Sequence, residues 1–420
     1  MFARAERCDG LCPRAMVGRR AWLRCLVRAL HAQAVAVTLL VLLAPARASA
    51  YPWMIRHGYT ACVPCHVDPS GAGPLTSYGR LVGDEVLSMQ PGSSSDRVAP
   101  TAQFLFGLVP TPDWLLLGGD VRGALLRVKS PGTPTTRRSL LMQADLEATI
   151  VSGRFVAHAT GGYAHEGALG AAVTRSTEDN FVSRQHWLGF YLDQESTLMA
   201  RVGRMNLPFG IRSIEHTLWA HSLTATDIND KQQFGAALSF NTSAFRGEVM
   251  AIAGNLQLRP DDYRERGYSA SLEGVIGSRL ALGVSSLVTH RQLHPTFLKE
   301  TWRQAHGIHA RYATPWEPLV LLSEWDYTIT SARDQLWRKG VVGYAQADLE
   351  ASQGVHFLLT GEAHDVGVRG PPVSWGVWLS YAWFPLPHAD LRIDGIYQSL
   401  GSDFGRVPAY TLLLQGHVYL

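Results

Sequence analysis

Cysteine is scarce in this chain: five in 420 residues, three of them (Cys8, Cys12, Cys25) ahead of residue 26. A disulfide framework of the kind that staples small secreted domains is therefore excluded. Long apolar runs are also missing. Nothing after residue 50 approaches the roughly eighteen consecutive apolar residues of a membrane-spanning helix. Excess charge of one sign is missing too. Residues 1–50 carry eight Arg, no Lys and two acids, so the remainder holds 30 bases against 33 acids, and the formal charge of +3 becomes about −3 once that segment is removed. Composition thus gives no support for nucleic-acid binding.

The one apolar stretch that does exist is short. Ala34–Ala44, eleven residues, follows Arg19, Arg20, Arg24 and Arg28 and ends near Ala48-Ser49-Ala50. That order of basic, apolar and small residues predicts a secretory signal peptide over 1–50, too short to span a bilayer. Only Cys62 and Cys65 would survive its cleavage, which suits an oxidising compartment.

Those two lie in the run Cys62-Val63-Pro64-Cys65-His66. Two thiols at this spacing can add to the two vinyl groups of a haem, and the adjacent His can supply an imidazole to the iron. A zinc site would need two more Cys or His ligands at short spacing, and no second pair is present. A redox CxxC belongs to a strand and helix pattern that is absent here. The pentapeptide resembles the attachment motif of c-type cytochromes. Pro74-Leu75-Thr76-Ser77-Tyr78-Gly79-Arg80 is similar to a short segment that trails the haem motif in some porin-like exported cytochromes. The expectation is one covalent haem c, with Cys62 and Cys65 as thioether attachments and His66 as the proximal ligand. For the sixth position the candidates are His57, Met54 and Met89, or an open or barrel-supplied site; a Met ligand would raise the potential relative to His.

Residues 51–100 read as a short, irregular, partly helical haem-binding segment with its linker. Pro69, Gly71, Gly73 and Pro74 break any helix there, only Tyr78–Met89 could form a brief one, and Gln90–Ala99 reads as the linker itself. Some fifty residues cannot build the shell of a soluble cytochrome, so the chain beyond residue 100 is expected to cover one haem face.

From residue 101 to 420 alternation with period two recurs. Leu140, Met142, Ala144, Leu146, Ala148 and Ile150 form one row against Gln143, Asp145, Glu147 and Thr149; Leu391 and Ile393 oppose Arg392 and Asp394. Tight links, such as Ser152-Gly153, Gly277-Ser278 and Ser352 to Gly354, alternate with longer polar ones. This rhythm predicts an all-β fold: a transmembrane antiparallel β-barrel of about 16 strands, with both ends on the periplasmic side. Aromatics toward strand ends, among them Trp187, Trp316, Trp325, Trp375 and Trp378, fit interfacial girdles. Arg201-Val202-Gly203-Arg204-Met205-Asn206-Leu207-Pro208-Phe209-Gly210 resembles a strand-to-loop segment of phosphate- and sugar-selective porins. The long loop that it opens, from Pro208 to about Lys231, is either a lumenal constriction or an ordinary external loop.

The acidic row, including Asp120, Asp145, Glu147, Glu248, Glu273, Glu324, Asp326, Asp348, Glu362 and Asp394, is expected to line a water-filled, mildly cation-preferring lumen with Arg122, Arg184, Arg201, Arg246, Arg311 and Arg392. These carboxylates read as solvated wall residues, with no catalytic site implied. Three functions compete: an electron carrier at the periplasmic side of the outer membrane, exchanging with periplasmic or outer-membrane cytochromes; a passive porin for small solutes or ions whose haem segment is a plug or staple; or a haem sensor or weak peroxidase with an open coordination site. Outer-membrane lipid is an expected partner and nucleic acid is not.

Overall fold

Among the described residues, seventeen strand segments lie beyond residue 110 and join edge to edge in a single antiparallel sheet. The computed structural model describes residues 52–89, 103–165, 172–174, 179–215, 217–254, 265–293, 299–332, 338–365, 372–402 and 405–420; the expected signal peptide and the linker Gln90–Ala99 lie outside them. The strands are β1 (Leu115–Lys129), β2 (Thr136–Ser152), β3 (Phe155–His165), β4 (Asp179–Val182), β5 (His186–Tyr191), β6 (Leu198–Met205), β7 (Gln233–Asn241) and β8 (Phe245–Gly254). They continue as β9 (Glu265–Ile276), β10 (Leu280–Arg291), β11 (Thr301–Ala313), β12 (Leu319–Ala332), β13 (Arg338–Ser352), β14 (Val355–Asp365), β15 (Ser374–Leu386), β16 (Ala389–Ser402) and β17 (Gly405–Tyr419).

The sheet closes on itself, because β1 pairs with β2 on one side and with β17 on the other, from Asp120↔Tyr419 to Lys129↔Tyr410. Closure removes both sheet edges, as a barrel in lipid requires. Both β4 and β5 pair with β3, so they are one stave interrupted at residues 183–185. The barrel therefore has sixteen staves, the number read from the alternation. With an even count, Leu115 and Tyr419 fall at the same end as the tight links near residues 153, 277, 353 and 387.

The two rows separate as the period demands. Leu146 is 67% exposed on the outside while its neighbour Asp145 is buried inside, and Leu391 and Ile393 face out while Arg392 and Asp394 face in. Apolar out and polar in is the inverse of a soluble sandwich. Trp316, Trp325 and Trp375 are exposed on the outside, but two of the aromatics assigned to the girdles point inward. Trp187 lies under the Arg201 guanidinium at 5.1 Å, and Trp378 donates from Nε1 to Glu362 at 2.9 Å. Both share the strand parity of lumen residues, and their indole rings have polar partners there.

Among the described residues, two insertions enter the lumen. Residues 52–89 enter from the tight-link end: a 3-10 turn (Pro52–His57), an irregular stretch, and helix α1 (Ser77–Val82) running on as one π turn (Gly83–Leu87). The segment and barrel belong to one compact unit, Pro45–Leu420. Trp53, Met54, Ile55, Cys65, Val82 and Leu87 pack on Val320, Leu322, Leu358 and Phe384 of the wall, each fully buried side chain contributing about 1.5–3 kcal/mol. The second insertion is the loop between β6 and β7, described at 206–215 and 217–232, which folds inward and carries helix α2 (Trp219–Thr224). Of the two readings open for that loop, the lumenal one holds.

Candidate functional site

The Cys62–His66 run forms a single helical turn, with Cys65 N and His66 N both donating to Cys62 O at 3.1 and 3.0 Å. The residues after it hold that turn in place. Thr76 N donates to Cys65 O at 2.9 Å, and its hydroxyl donates to Pro64 O at 2.7 Å while accepting from Gly79 N at 3.0 Å as the N-cap of α1. Gly79 lies so close that a Cβ there would sit 2.2 Å from Cys65 O. Arg80 reaches Leu117 O and stacks over Phe104 at 5.9 Å. The segment 74–80 is thus the seat of the motif.

His66 Nδ1 lies 3.3 Å from Gly73 O, a carbonyl that can only accept, so the ring donates there and keeps its Nε2 lone pair for another partner. Burial lowers the His66 pKa and favours the neutral imidazole that a metal ligand must be. The thiols are unpaired with each other. Burial raises both; Cys65 is pushed up to about 12, with the neighbouring Cys62 adding to the effect.

Cys65 and His66 open on a cavity of about 200 Å³ that continues into open space, so a cofactor of the usual pocket size, about 300–1,000 Å³, would extend through its mouth. One wall is apolar, with Met54, Leu75, Val82 and Leu87; the other is polar, with Arg122, Gln143, Glu147 and Gln185 from the barrel. Cys62 faces an adjoining cavity of about 90 Å³, and the two share Pro52, Ser70 and Arg212. Two thiols, a neutral imidazole with a spare lone pair and a half-apolar cavity form a donor set that fits a covalently held haem.

The structure brings Cys62, Cys65, His66 and Met54 together at these adjoining cavities. Met54 is 2% exposed and lines the cavity of His66. His57 does not line it; its Nε2 is 3.1 Å from Glu350, which Arg56 also meets at 2.6 Å. Met89 is exposed at the rim, where its sulfur accepts from Trp383 Nε1 at 3.3 Å.

Spacing gave no sign of the groups that fasten the segment. Asp68 and Arg201 meet at 2.6 Å, and Arg201 also donates to Glu248. Burial pushes the Asp68 carboxyl up, but Arg201 and the Ser70 amide outweigh it and hold the group below its ordinary value. Arg311 donates to Thr60 O at 2.8 Å while paired with Glu273 at 2.6 Å. The segment residues Asp68 and Thr60 lie more than a hundred residues from Arg201 and Arg311 in the chain, beyond the reach of any local pattern.

The inward loop is fastened in the same manner. Gly210 N donates to Ser285 at 2.8 Å, Ile211 N to Glu324 at 2.6 Å and Trp219 N to Glu362 at 3.0 Å, while Glu215 pairs with Arg392 at 2.6 Å. Gly210 has φ +55, and a Cβ there would lie 2.0 Å from Glu324 Oε1, which accounts for glycine in the Pro-Phe-Gly run. The expected inward row is therefore correctly placed, but much of it is not a solvated wall. Asp145, Glu248, Glu273, Glu324, Glu362 and Asp394 bond to arginines, to the loop or to one another's neighbours. The insertions supply partners that alternation along the strands cannot reveal.

No protein-family profile matches the chain, and no curated protein sequence does. Solved structures match the barrel. OmpT of Vibrio cholerae, an outer-membrane protein, aligns over 74% of this chain and 100% of its own at 9% identity and a TM-score of 0.56. The outer-membrane channel DcaP of Acinetobacter baumannii aligns over 73% and 97% at 10% identity and 0.52. An anion-selective porin from Comamonas acidovorans aligns over 73% and 99% at 12% identity and 0.52. The chain has the fold of outer-membrane porin-like barrels.

Proposed function

We propose that this chain is an outer-membrane protein that carries one haem c covalently on Cys62 and Cys65 and takes part in electron transfer at the periplasmic side of that membrane. The observation that carries the reading is the seating of the Cys62–His66 turn inside a porin-like barrel, on a cavity whose walls come from both segment and barrel. When bound, a haem supplies a one-electron iron couple. His66 offers Nε2 to the iron, oriented by Gly73 O. Met54 is the sixth ligand that the cavity favours, since the His57 ring is held by Glu350 and Met89 lies at the rim. The apolar wall excludes water from the porphyrin face.

The apolar band of such a barrel is about 25 Å tall, too far for one redox centre to cross alone. Periplasmic or outer-membrane cytochromes are the partners this implies. The test is a haem stain and reduced spectrum on purified outer membranes, with the Cys62→Ala/Cys65→Ala pair as control, followed by electron exchange with a small periplasmic cytochrome. Absence of covalent haem from the wild-type protein would overturn the reading.

A second reading rests on the fold shared with porins and channels. There the barrel passes small solutes or ions and residues 52–89 serve as a plug or staple. High conductance in planar bilayers that Cys65→Ala leaves unchanged would favour it; negligible conductance with fast electron exchange would favour the first. Carbon monoxide binding to the reduced protein would instead mark an open site, as in a sensor.

A further inference from the structure

We propose that Arg122 is the cation that holds a haem propionate, so that the cofactor sits with its two carboxylates turned toward β1 and β2 and away from the thiols. This rests on the haem reading above. Arg122 is 7% exposed and makes no hydrogen bond or close ion pair with another described residue, although Asp120 and His417 lie near enough to interact with its charge. An arginine so buried carries five donors that ordinarily find acceptors. It lines the same cavity as Cys65 and His66. The neighbouring arginines are engaged: Arg184 grips both oxygens of Asp145 at 2.6 and 2.7 Å, and Arg311 holds Glu273 and Thr60 O.

The backbone is irregular beside the side chain. The β1–β2 ladder shifts by one residue between Arg122 and Gly123, with Arg122 opposite Gln143, Gly123 opposite Leu141 and Met142 left over as a bulge. Bulges of this kind re-aim a side chain beside functional sites. Haem chemistry supplies the direction. The vinyl groups that bond to Cys62 and Cys65 occupy one edge of the porphyrin, and the propionates occupy the opposite one. Arg246 lines the cavity onto which Cys62 opens and Arg212 lines both, where Glu248 engages it at 3.2 Å, whereas Arg122 lines, of these two, only the cavity of Cys65 and His66. Asp120 and Glu147 share that polar wall, so an approaching carboxylate meets like charge as well, and Arg122 is the group there that can neutralise it. A bidentate guanidinium–carboxylate pair in a site largely shut off from water is the strong form of this contact.

The experiment uses the full-length, haem-loaded protein and its Arg122→Gln, Arg122→Lys and Arg212→Gln variants. It reads the protein mass, the midpoint potential and the propionate-bending bands in resonance Raman. Removing a cation next to a group that gains an electron disfavours reduction. Arg122→Gln is expected to keep its covalent haem, to displace the propionate band, and to lower the reduction equilibrium constant by up to tenfold, about 59 mV for one electron. Arg122→Lys should restore most of the potential while the band stays displaced, and Arg212→Gln should leave the band in place. A propionate band unmoved in Arg122→Gln, with haem attached, overturns the proposal. If Arg122→Gln does not assemble, Arg122→Lys decides by the same band. In a haem-free Cys62→Ala/Cys65→Ala protein, stabilisation by inorganic phosphate that is lost on adding Arg122→Gln, together with an unmoved band in the loaded protein, would assign Arg122 to a free anion instead. A wild-type mass without the cofactor rejects the haem reading itself, and is told apart by that measurement alone.

Discussion

Asp68 and Arg201 lie 133 residues apart in the chain and meet at 2.6 Å with both side chains wholly out of water. One stands two residues past the Cys62–His66 turn, the other on β6, so this pair ties the inserted segment to the wall. Removing Asp68 leaves Arg201 buried with Glu248 as its remaining partner, so the cost falls toward or below the low end of the about 3–5 kcal/mol typical of a broken buried pair. Asp68→Asn is therefore expected to expose residues 52–89 to protease while the barrel keeps its heat-modifiable mobility. Unchanged protease resistance in Asp68→Asn would show that the pair is no anchor.

Gly79 is expected to tolerate no side chain. A Cβ 2.2 Å from Cys65 O must displace the turn that carries the thiols, and overpacking of this kind costs about 1–3 kcal/mol. Gly79→Ala should reduce covalent haem per barrel severalfold without reducing barrel yield, read by haem stain against total protein. Equal haem content would contradict the close contact.

The sixth ligand separates by substitution. Met54→Leu should alter the reduced spectrum, lower the potential and admit carbon monoxide, because the sulfur is replaced by carbon at the cavity wall. His57→Ala should leave spectrum and potential nearly unchanged, since Glu350 already engages that ring. The reverse pattern would assign the ligand to His57.

The inward loop should loosen in acid. Burial raises the Glu215 carboxyl, but the Arg392 guanidinium and the Ser213 hydroxyl outweigh it and bring the group below its ordinary 4.5. A depressed folded-state pKa contributes stability that is complete above the unfolded value and is lost as pH falls through the folded one. Trp219, four residues on, reports it: its fluorescence should be flat at neutral pH and change below about pH 4.5. Glu215→Gln should shift that acid transition or abolish it, and an identical acid limb in the variant would assign it to other carboxylates.

The outer row predicts its own solvent. Leu146→Arg, at one of the most exposed outward positions, should destabilise the barrel in lipid vesicles by about 2–4 kcal/mol if it lies near the midplane. A cost near zero would argue against lipid on that face.

Much of the wall could be read without coordinates. The Leu140–Ile150 row, the tight links and the even count depend only on which residues alternate and where the chain turns, and these are local properties of a strand in lipid. The parity of Trp187 and Trp378 was equally available, but aromatic character suggested a girdle. Their inward course became plain only with the Arg201 guanidinium and the Glu362 carboxylate in place.

The sequence by itself determined the Cys62–His66 run and the sixteen-stave alternation, because each is set by chemistry within a few residues. Only the tertiary structure decided that residues 52–89 lie within the barrel, that the β6–β7 loop turns inward, that Met54 rather than His57 lines the cavity, and that Arg122 lines it with no hydrogen bond to another described residue. Those outcomes depend on ion pairs and packing between residues far apart in the chain, brought together when the sheet closes, and no spacing along the sequence encodes them.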